Sequence, residues 1–215
     1  PSPTCGTLLD NDCEEDCPTT DVDCFLQQTC AQGNDICDGV GGSRLVANFS
    51  LTDQSQLDSL AGTECIVGDV AIRGSYGSAL NWPFNLLAVL GNVPIDGVAT
   101  SLSLTGMACV DELVIAGDFG DVSIGSTAAV GDLTVNSSAN LTTLQLNGFQ
   151  RAHNIDVGSN AGLRSVSFSV PDGVSGVFRI DNNGALSTIT LPSTTYAALV
   201  LTNNAALNGI RLNGP

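Results

Sequence analysis

The sequence predicts an all-β fold, a parallel β-solenoid, and two observations carry that prediction. The first is a six-residue phrase, apolar-x-x-apolar-x-apolar, that recurs through the C-terminal part. It reads Val130-Gly-Asp-Leu133-Thr-Val135, Leu141-Thr-Thr-Leu144-Gln-Leu146, Ala152-His-Asn-Ile155-Asp-Val157 and Leu163-Arg-Ser-Val166-Ser-Phe168. It returns at Leu186 to Leu191, Tyr196 to Leu201 and Leu207 to Leu212. The apolar-x-apolar end has the period of a strand with one buried face. The leading apolar residue belongs to the turn and is expected to point inward. The final apolar positions, 135, 146, 157, 168, 180, 191, 201 and 212, lie 10 to 12 residues apart, room for a short strand and a turn but not for a helix.

The second observation has twice that period. Ser138, Asn160, Asn183 and Asn204 each stand three residues before the next leading apolar residue, at intervals of 22, 23 and 21. Alternate turns are therefore equivalent. One coil is about 22 residues with two strands, and strand i stacks on strand i+2 at about 4.8 Å per coil. Asn suits such turns because it tolerates left-handed backbone and bonds locally, and stacked Asn side chains can bond from coil to coil. The strands near 72, 95, 115, 135, 157, 180 and 201 should form one sheet, and those near 104, 124, 146, 168, 191 and 212 the other.

Taken in order, the chain opens with an acidic, Cys-rich head over residues 1–40. Cys5, Cys13, Cys17, Cys24, Cys30 and Cys37 punctuate a segment too poor in apolar residues to bury a core, so disulfides must staple it. Asp10, Asp12 and Glu14 are its candidate calcium ligands, although the Gly and bidentate Glu of a calcium loop are missing. The spacings lack the paired C-x-x-C of a zinc site.

Residues 41–64 are expected to be a strand and a capping helix. Leu45 to Leu51 reads as a first strand with Asn48 exposed in it. The helix follows, with Ser50 or Thr52 as N-cap, an apolar face of Leu57, Leu60 and Ala61, and Gly62 as C-cap. Such a helix covers the open edge of the first coil.

The solenoid, residues 65–215, begins at Val67-Gly-Asp-Val70-Ala-Ile72 and continues through Leu90 to Ile95, Ala99 to Leu104, Val110 to Ile115 and Phe119 to Ile124. One strand is obscured within Trp82-Pro-Phe-Asn-Leu-Leu87, where proline argues for irregular backbone. Val174 to Ile180 gains one residue, which predicts a bulge.

Cys65-Ile-Val-Gly-Asp-Val-Ala-Ile72 after a short helix resembles the opening of receptor L domains. Gly131 to Leu144 is similar to the L-domain-like repeats of GPI-anchored fungal cell-wall proteins. The resemblance spans roughly residues 45 to 215. It implies a right-handed β-solenoid at the cell surface, used for ligand binding or wall architecture, and brings no catalytic motif. The acidic head is not part of that pattern.

Composition narrows the function. Hydrophobic residues make up 43% of the 215, enough for a continuous core despite few aromatics. The six basic residues are all Arg, against 22 acids, for a net charge of −16. Nucleic acid, which needs a basic footprint, is excluded as a partner. Eight cysteines indicate an oxidising compartment, and no apolar run is long enough to span a membrane. A chain opening Pro-Ser-Pro-Thr-Cys reads as one that has already lost a signal peptide. Sequons at Asn48, Asn136 and Asn140 fit a secreted, extracellular glycoprotein with N-linked glycans. Asn136 should face outward, because Val135 faces inward.

Catalysis finds little support. His153 is the only histidine. The outward positions after the inward residues are Arg73, Asp96, Ala116, Asn136, Gly158, Asp181 and Thr202 on one sheet, and Thr105, Gly125, Asn147, Ser169, Pro192 and Asn213 on the other. Acid catalysis needs close carboxylates. Asp96 and Asp181 are four coils apart, while Asp156 and Asp181 are expected at different positions of the pleat. Those columns are too mixed for an ice-binding Thr ladder, and they lack the Trp, Tyr and Arg anchors of a protein-binding hot spot. Trp82 and Phe84 serve either as core or as a ligand platform.

The expectation is a non-enzymatic structural protein without a cofactor that assembles with itself. The final strand leaves Leu199, Leu201, Ile210 and Leu212 as an apolar assembly edge, and head-to-tail stacking on it gives a filament or surface layer. The alternative is a recognition module binding a protein or a carbohydrate such as cell-wall or matrix polysaccharide. Cys65 and Cys109 precede strands two coils apart, too far to bond to each other, so each is expected to pair with a cysteine of the head.

Overall fold

The structure is a computed structural model, and it describes residues 44–213 apart from 84, 85, 87, 108, 126, 128, 149, 150, 170–172 and 193–195. In chain order the first elements are β1 (Arg44–Val46), β2 (Phe49–Leu51), α1 (Gln54–Asp58), β3 (Cys65–Val67), β4 (Val70–Ser75), β5 (Ala79–Asn81) and β6 (Ala88–Thr105). Then come β7 (Cys109–Ile115), β8 (Asp118–Gly125), β9 (Ala129–Asn136), β10 (Thr143–Asn147) and β11 (Arg151–Gly158). The last are β12 (Ser165–Ser169), β13 (Val174–Asp181), β14 (Thr188–Pro192), β15 (Tyr196–Thr202) and β16 (Gly209–Asn213).

These strands wind as a parallel β-solenoid of about seven turns. One sheet runs β15-β13-β11-β9-β7-β6, then β3 and β4, then β1 and β2. The other runs β16-β14-β12-β10-β8-β6, with β5 on its far side. The long strand β6 belongs to both, because it turns the corner without losing its pairing. Val135 pairs with Ile115 below and Val157 above, and Leu146 with Ile124 and Phe168, so neighbouring strands in sequence never pair after β6. This is the expected i to i+2 stacking. Between the sheets the apolar columns fill one continuous core, in which Phe168 of one sheet meets Phe178 of the other at 4.4 Å between ring centroids.

The corner after the first sheet is made in two ways. In the early coils it holds Gly74, Gly97 and Gly117, one above another, and a Cβ on Gly117 would sit 2.1 Å from the Gly97 carbonyl oxygen. In the later coils the same position is Ser137, Ser159, Asn182 or Asn203, all with φ between 53° and 59°. The left-handed turn is followed at once by the polar ladder. Asn160 Oδ1 accepts the Ser138 N–H, Asn183 Oδ1 the Asn160 N–H, and Asn204 Oδ1 the Asn183 N–H, at 3.0–3.1 Å. Each Asn also donates Nδ2 to the coil below, to the carbonyls of Val135, Val157 and Ile180. Ser138, Asn160 and Asn183 are buried, yet their polar groups are satisfied.

A second ladder explains the recurring Gly-Asp and Gly-Asn at the start of first-sheet strands. Asn48 Oδ1 accepts the Asp69 N–H, Asp69 Oδ1 the Asn92 N–H, and Asn154 Oδ1 the Val177 N–H. Here the acceptor lies in the coil below, the reverse of the Asn ladder.

Several local expectations are corrected. The first strand is two, β1 and β2, because Asn48 leaves the extended path to bond Asp69. The N-cap of α1 is Asp53, whose carboxylate accepts the Gln56 N–H, rather than Ser50 or Thr52. Thr52 instead donates its N–H to Gln56 Oε1. Leu57 and Leu60 are buried, but Ala61 is exposed. The helix ends at Ser59, and Gly62 makes a left-handed turn beyond it, with φ of 86°. In the first coils the inward leading residues are Ile66 and Val89, which pair with each other and then with Val110, while Val67 and Leu90 are only half-buried. Gly68 and Gly91 absorb the extra residue, and the register shifts between Val89 and Asn92. The obscured strand is β5, ahead of Trp82, with Leu80 paired to Leu102. The bulge expected after Val174 is present.

Candidate functional site

The most unusual surface is the end of the solenoid at β15 and β16. Earlier coils bury their inward residues almost completely, but here Leu199 is 41%, Ile210 51% and Leu212 69% exposed. Leu201 is half-buried. Each continues a core column, Leu199 and Leu201 above Phe178 and Ile180, Ile210 and Leu212 above Ile189 and Leu191. The exposure follows from position, since among the described residues no strand lies beyond β15 or β16. All four residues of the expected assembly edge are therefore brought together on one cross-section.

The opposite end differs between its sheets. At the second sheet α1 stands where a further strand would pair. The Gln54 amide takes both the N–H and the C=O of Asn81, with bonds of 3.0 and 2.8 Å, and so imitates a strand edge. Leu57 and Leu60 close the core beneath it. At the first sheet β1 and β2 have no described strand outside them, and Leu45 and Val46 are 38% and 72% exposed.

Along the sides, the sequence reading followed one outward column per sheet and missed the columns beside them. On the second sheet these are hydroxyl-rich, with Ser101, Thr143, Ser165 and Thr188 in one column and Ser103, Ser123, Ser167 and Thr190 in the next. A shallow depression of about 290 Å³ on this face is lined by Ser101, Ser103, Asp121, Ser123, Thr143 and Gln145. The alternation of inward Leu, Val and Ile with these residues was the available signal.

On the first sheet Asp156 and Asp181 stand in adjacent outward columns of one face, Asp156 beside Arg179 and Asp181 beside Gly158, the different positions of the pleat that the sequence predicts. Both lean over Gly158, where a Cβ would sit 2.6 Å from Asp181 Oδ1 and 3.4 Å from Asp156 Oδ1. Partial burial, and then the Asp181 charge, hold the Asp156 carboxyl above its ordinary range, with Arg179 opposing them. Arg179 also lies 3.9 Å from Asp181. Asp96 and Asp181 are four coils apart in register, as expected. His153 Nδ1 lies 3.0 Å from Ser175 Oγ at a corner. Trp82 is buried and donates Nε1–H to the Leu86 carbonyl, a core role, while Phe84 lies outside the described residues.

Of the sequon residues, Asn48 and Asn140 are exposed and Asn136 is half-exposed on its outward column. Asn140 is held by Asp118, which accepts both its N–H and its Nδ2–H. Cys65 and Cys109 are buried and disulfide-bonded. The head cysteines and Asp10, Asp12 and Glu14 lie outside the described residues. No described helix is long and apolar enough to cross a membrane.

Comparison with protein-family models, with curated proteins and with solved structures finds no match for this chain.

Proposed function

We propose that this chain is an extracellular structural glycoprotein that assembles with copies of itself, head to tail, into a filament or layer. The observation that carries the reading is the apolar cross-section formed by Leu199, Leu201, Ile210 and Leu212, a core surface presented to water. Exposed core columns of this kind associate, and a heterologous contact that does not close on itself propagates. The likeness of the Gly-Asp repeats to those of fungal cell-wall proteins and the eight cysteines support a cell-surface setting. The sequons at Asn48, Asn136 and Asn140 support glycans on the sides of the assembly.

The test is sedimentation velocity and negative-stain electron microscopy of the 215-residue glycoprotein over a range of concentrations. Concentration-dependent filaments or linear oligomers are expected, and Leu199→Arg with Leu212→Arg should abolish them while leaving the β circular-dichroism signal intact. Monomers of about 22 kDa plus glycan at every concentration would remove the reading.

A further inference from the structure

The backbone polarity of the solenoid shows which two edges can meet in such an assembly, and this inference rests on the self-assembly reading. In the first sheet the inward residues direct their backbone bonds toward later coils and the outward residues toward earlier ones. Thus the Ile95 carbonyl accepts the Ala116 N–H of the next coil, and Gly158, an outward residue, accepts from Ser137 of the coil before. Phe49, an inward residue of the first coil, donates upward to the Asp69 carbonyl. At the last coil, therefore, Leu199 and Leu201 present their N–H and C=O groups beyond β15. At the first coil Ser50 presents its own groups on the outer side of β2. These two edges are the two halves of one parallel ladder, and either edge meets a second copy of itself only in antiparallel fashion.

The side chains agree. Leu51 heads the column that runs through Ile72, Ile95, Ile115, Val135, Val157 and Ile180 to Leu201. Phe49 heads the column that ends at Leu199. The second sheet cannot continue in this way, because the Gln54 amide already occupies the Asn81 edge.

We propose that the joint is made by the first sheet alone, with β2 of one copy pairing in parallel on β15 of the next. Phe49 stacks over Leu199 and Leu51 over Leu201. The Ser50 N–H donates to the Leu199 carbonyl, and the Ser50 carbonyl accepts the Leu201 N–H. The occupant of the open end is a second copy of this chain, since the matching edge, columns and bonding polarity are all its own. α1 of the incoming copy, three residues after β2, and the turn that follows it come over Ile210 and Leu212 with the exposed Ser55 of the helix and Ser59 and Ala61 beyond it, small side chains that permit close approach.

In this register Ser50 and Val200 of adjoining copies are direct neighbours, about 4.8 Å apart and within disulfide reach. Within one copy they are separated by seven coil steps, about 34 Å, so an intramolecular bond is impossible. The double variant Ser50→Cys with Val200→Cys, oxidised mildly after assembly, should give a ladder of dimers, trimers and longer chains on non-reducing gels. Peptide mapping should find the 50–200 link, and each single variant should give no ladder. Assemblies that sediment normally but yield no 50–200 link overturn this joint and leave self-assembly standing. A dimer from Val200→Cys alone indicates a tail-to-tail contact and also overturns it. Absence of any assembly overturns both.

Discussion

Asn160 ties Ser138 to its own coil from both sides of one amide: its Oδ1 accepts the Ser138 N–H at 3.1 Å, and its Nδ2 donates to the Val135 carbonyl at 2.9 Å. Asn160 is fully buried, so neither partner can turn to water when the amide is removed. Asn160→Ala is expected to cost about 1–3 kcal/mol, since the buried Ser138 N–H loses its acceptor and the Val135 carbonyl loses its side-chain donor. Urea unfolding measures it. Asn160→Asp keeps the acceptor for the Ser138 N–H but turns a carboxylate oxygen onto the Val135 carbonyl in a buried site, and should cost at least as much as the alanine variant at neutral pH. A loss below about 0.5 kcal/mol for the alanine variant would show that the ladder is ornamental.

The corner position predicts a contrast between two substitutions of similar size. Ser159 has φ of 59°, a conformation that glycine adopts freely and β-branched residues resist. Ser159→Gly should be nearly neutral in thermal unfolding, whereas Ser159→Val should lower stability by about 1–2 kcal/mol. Gly117→Ala should be worse than either, because the new Cβ meets the Gly97 backbone, which has no flexible end to move aside.

How much of this was legible can be judged from the same corner. The i to i+2 stacking and the Asn ladder were readable because Asn160, Asn183 and Asn204 recur at one coil's interval and their inward neighbours at half of it. The column of Gly74, Gly97 and Gly117 was not, because glycine reads as a generic turn residue and only the stacked backbone shows why a Cβ is excluded. Val67 and Leu90 were assigned inward by the spacing of later coils. The extra residue absorbed at Gly68 and Gly91 moves that role to Ile66 and Val89, and hydrophobicity cannot separate adjacent apolar residues. The sequence suggested Ser50 or Thr52 as N-cap and passed over Asp53, the residue whose carboxylate reaches the Gln56 N–H once β2 releases the chain. That Leu199, Leu201, Ile210 and Leu212 continue the core columns followed from the strand pattern. The one-sided capping by Gln54 did not, since it depends on a side chain meeting backbone 27 residues away.

Asp156 gives a pH dependence whose sign differs from that of a paired carboxylate. Its folded-state affinity for a proton is raised above the unfolded value, chiefly by partial burial and then by Asp181. The folded state therefore binds more protons between pH 3.8 and the raised value, and stability falls as pH rises through that window. At neutral pH the ionised group is a net cost. Asp156→Asn should raise Tm by about 1–3 °C at pH 7, and the gain should vanish at pH 3, below both values. A loss at pH 7 would mean that attraction to Arg179 outweighs burial and Asp181.

Cys65 and Cys109 both pair in register with Ala88, one from each side. Two strand spacings separate them by about 9–10 Å, while a disulfide joins Cα atoms no more than about 7 Å apart. Both are nonetheless disulfide-bonded and buried at the first-sheet corner. Every other cysteine of the chain is among Cys5, Cys13, Cys17, Cys24, Cys30 and Cys37. Peptide mapping under non-reducing conditions should therefore find Cys65 and Cys109 each linked to a different cysteine of residues 5–37, with the remaining four paired among themselves. Replacing Cys109 together with its mapped partner by serine should cost about 2–4 kcal/mol through the loop it closes. A Cys65–Cys109 peptide in the map would overturn the assignment, because it requires a register that places the two cysteines in adjacent coils.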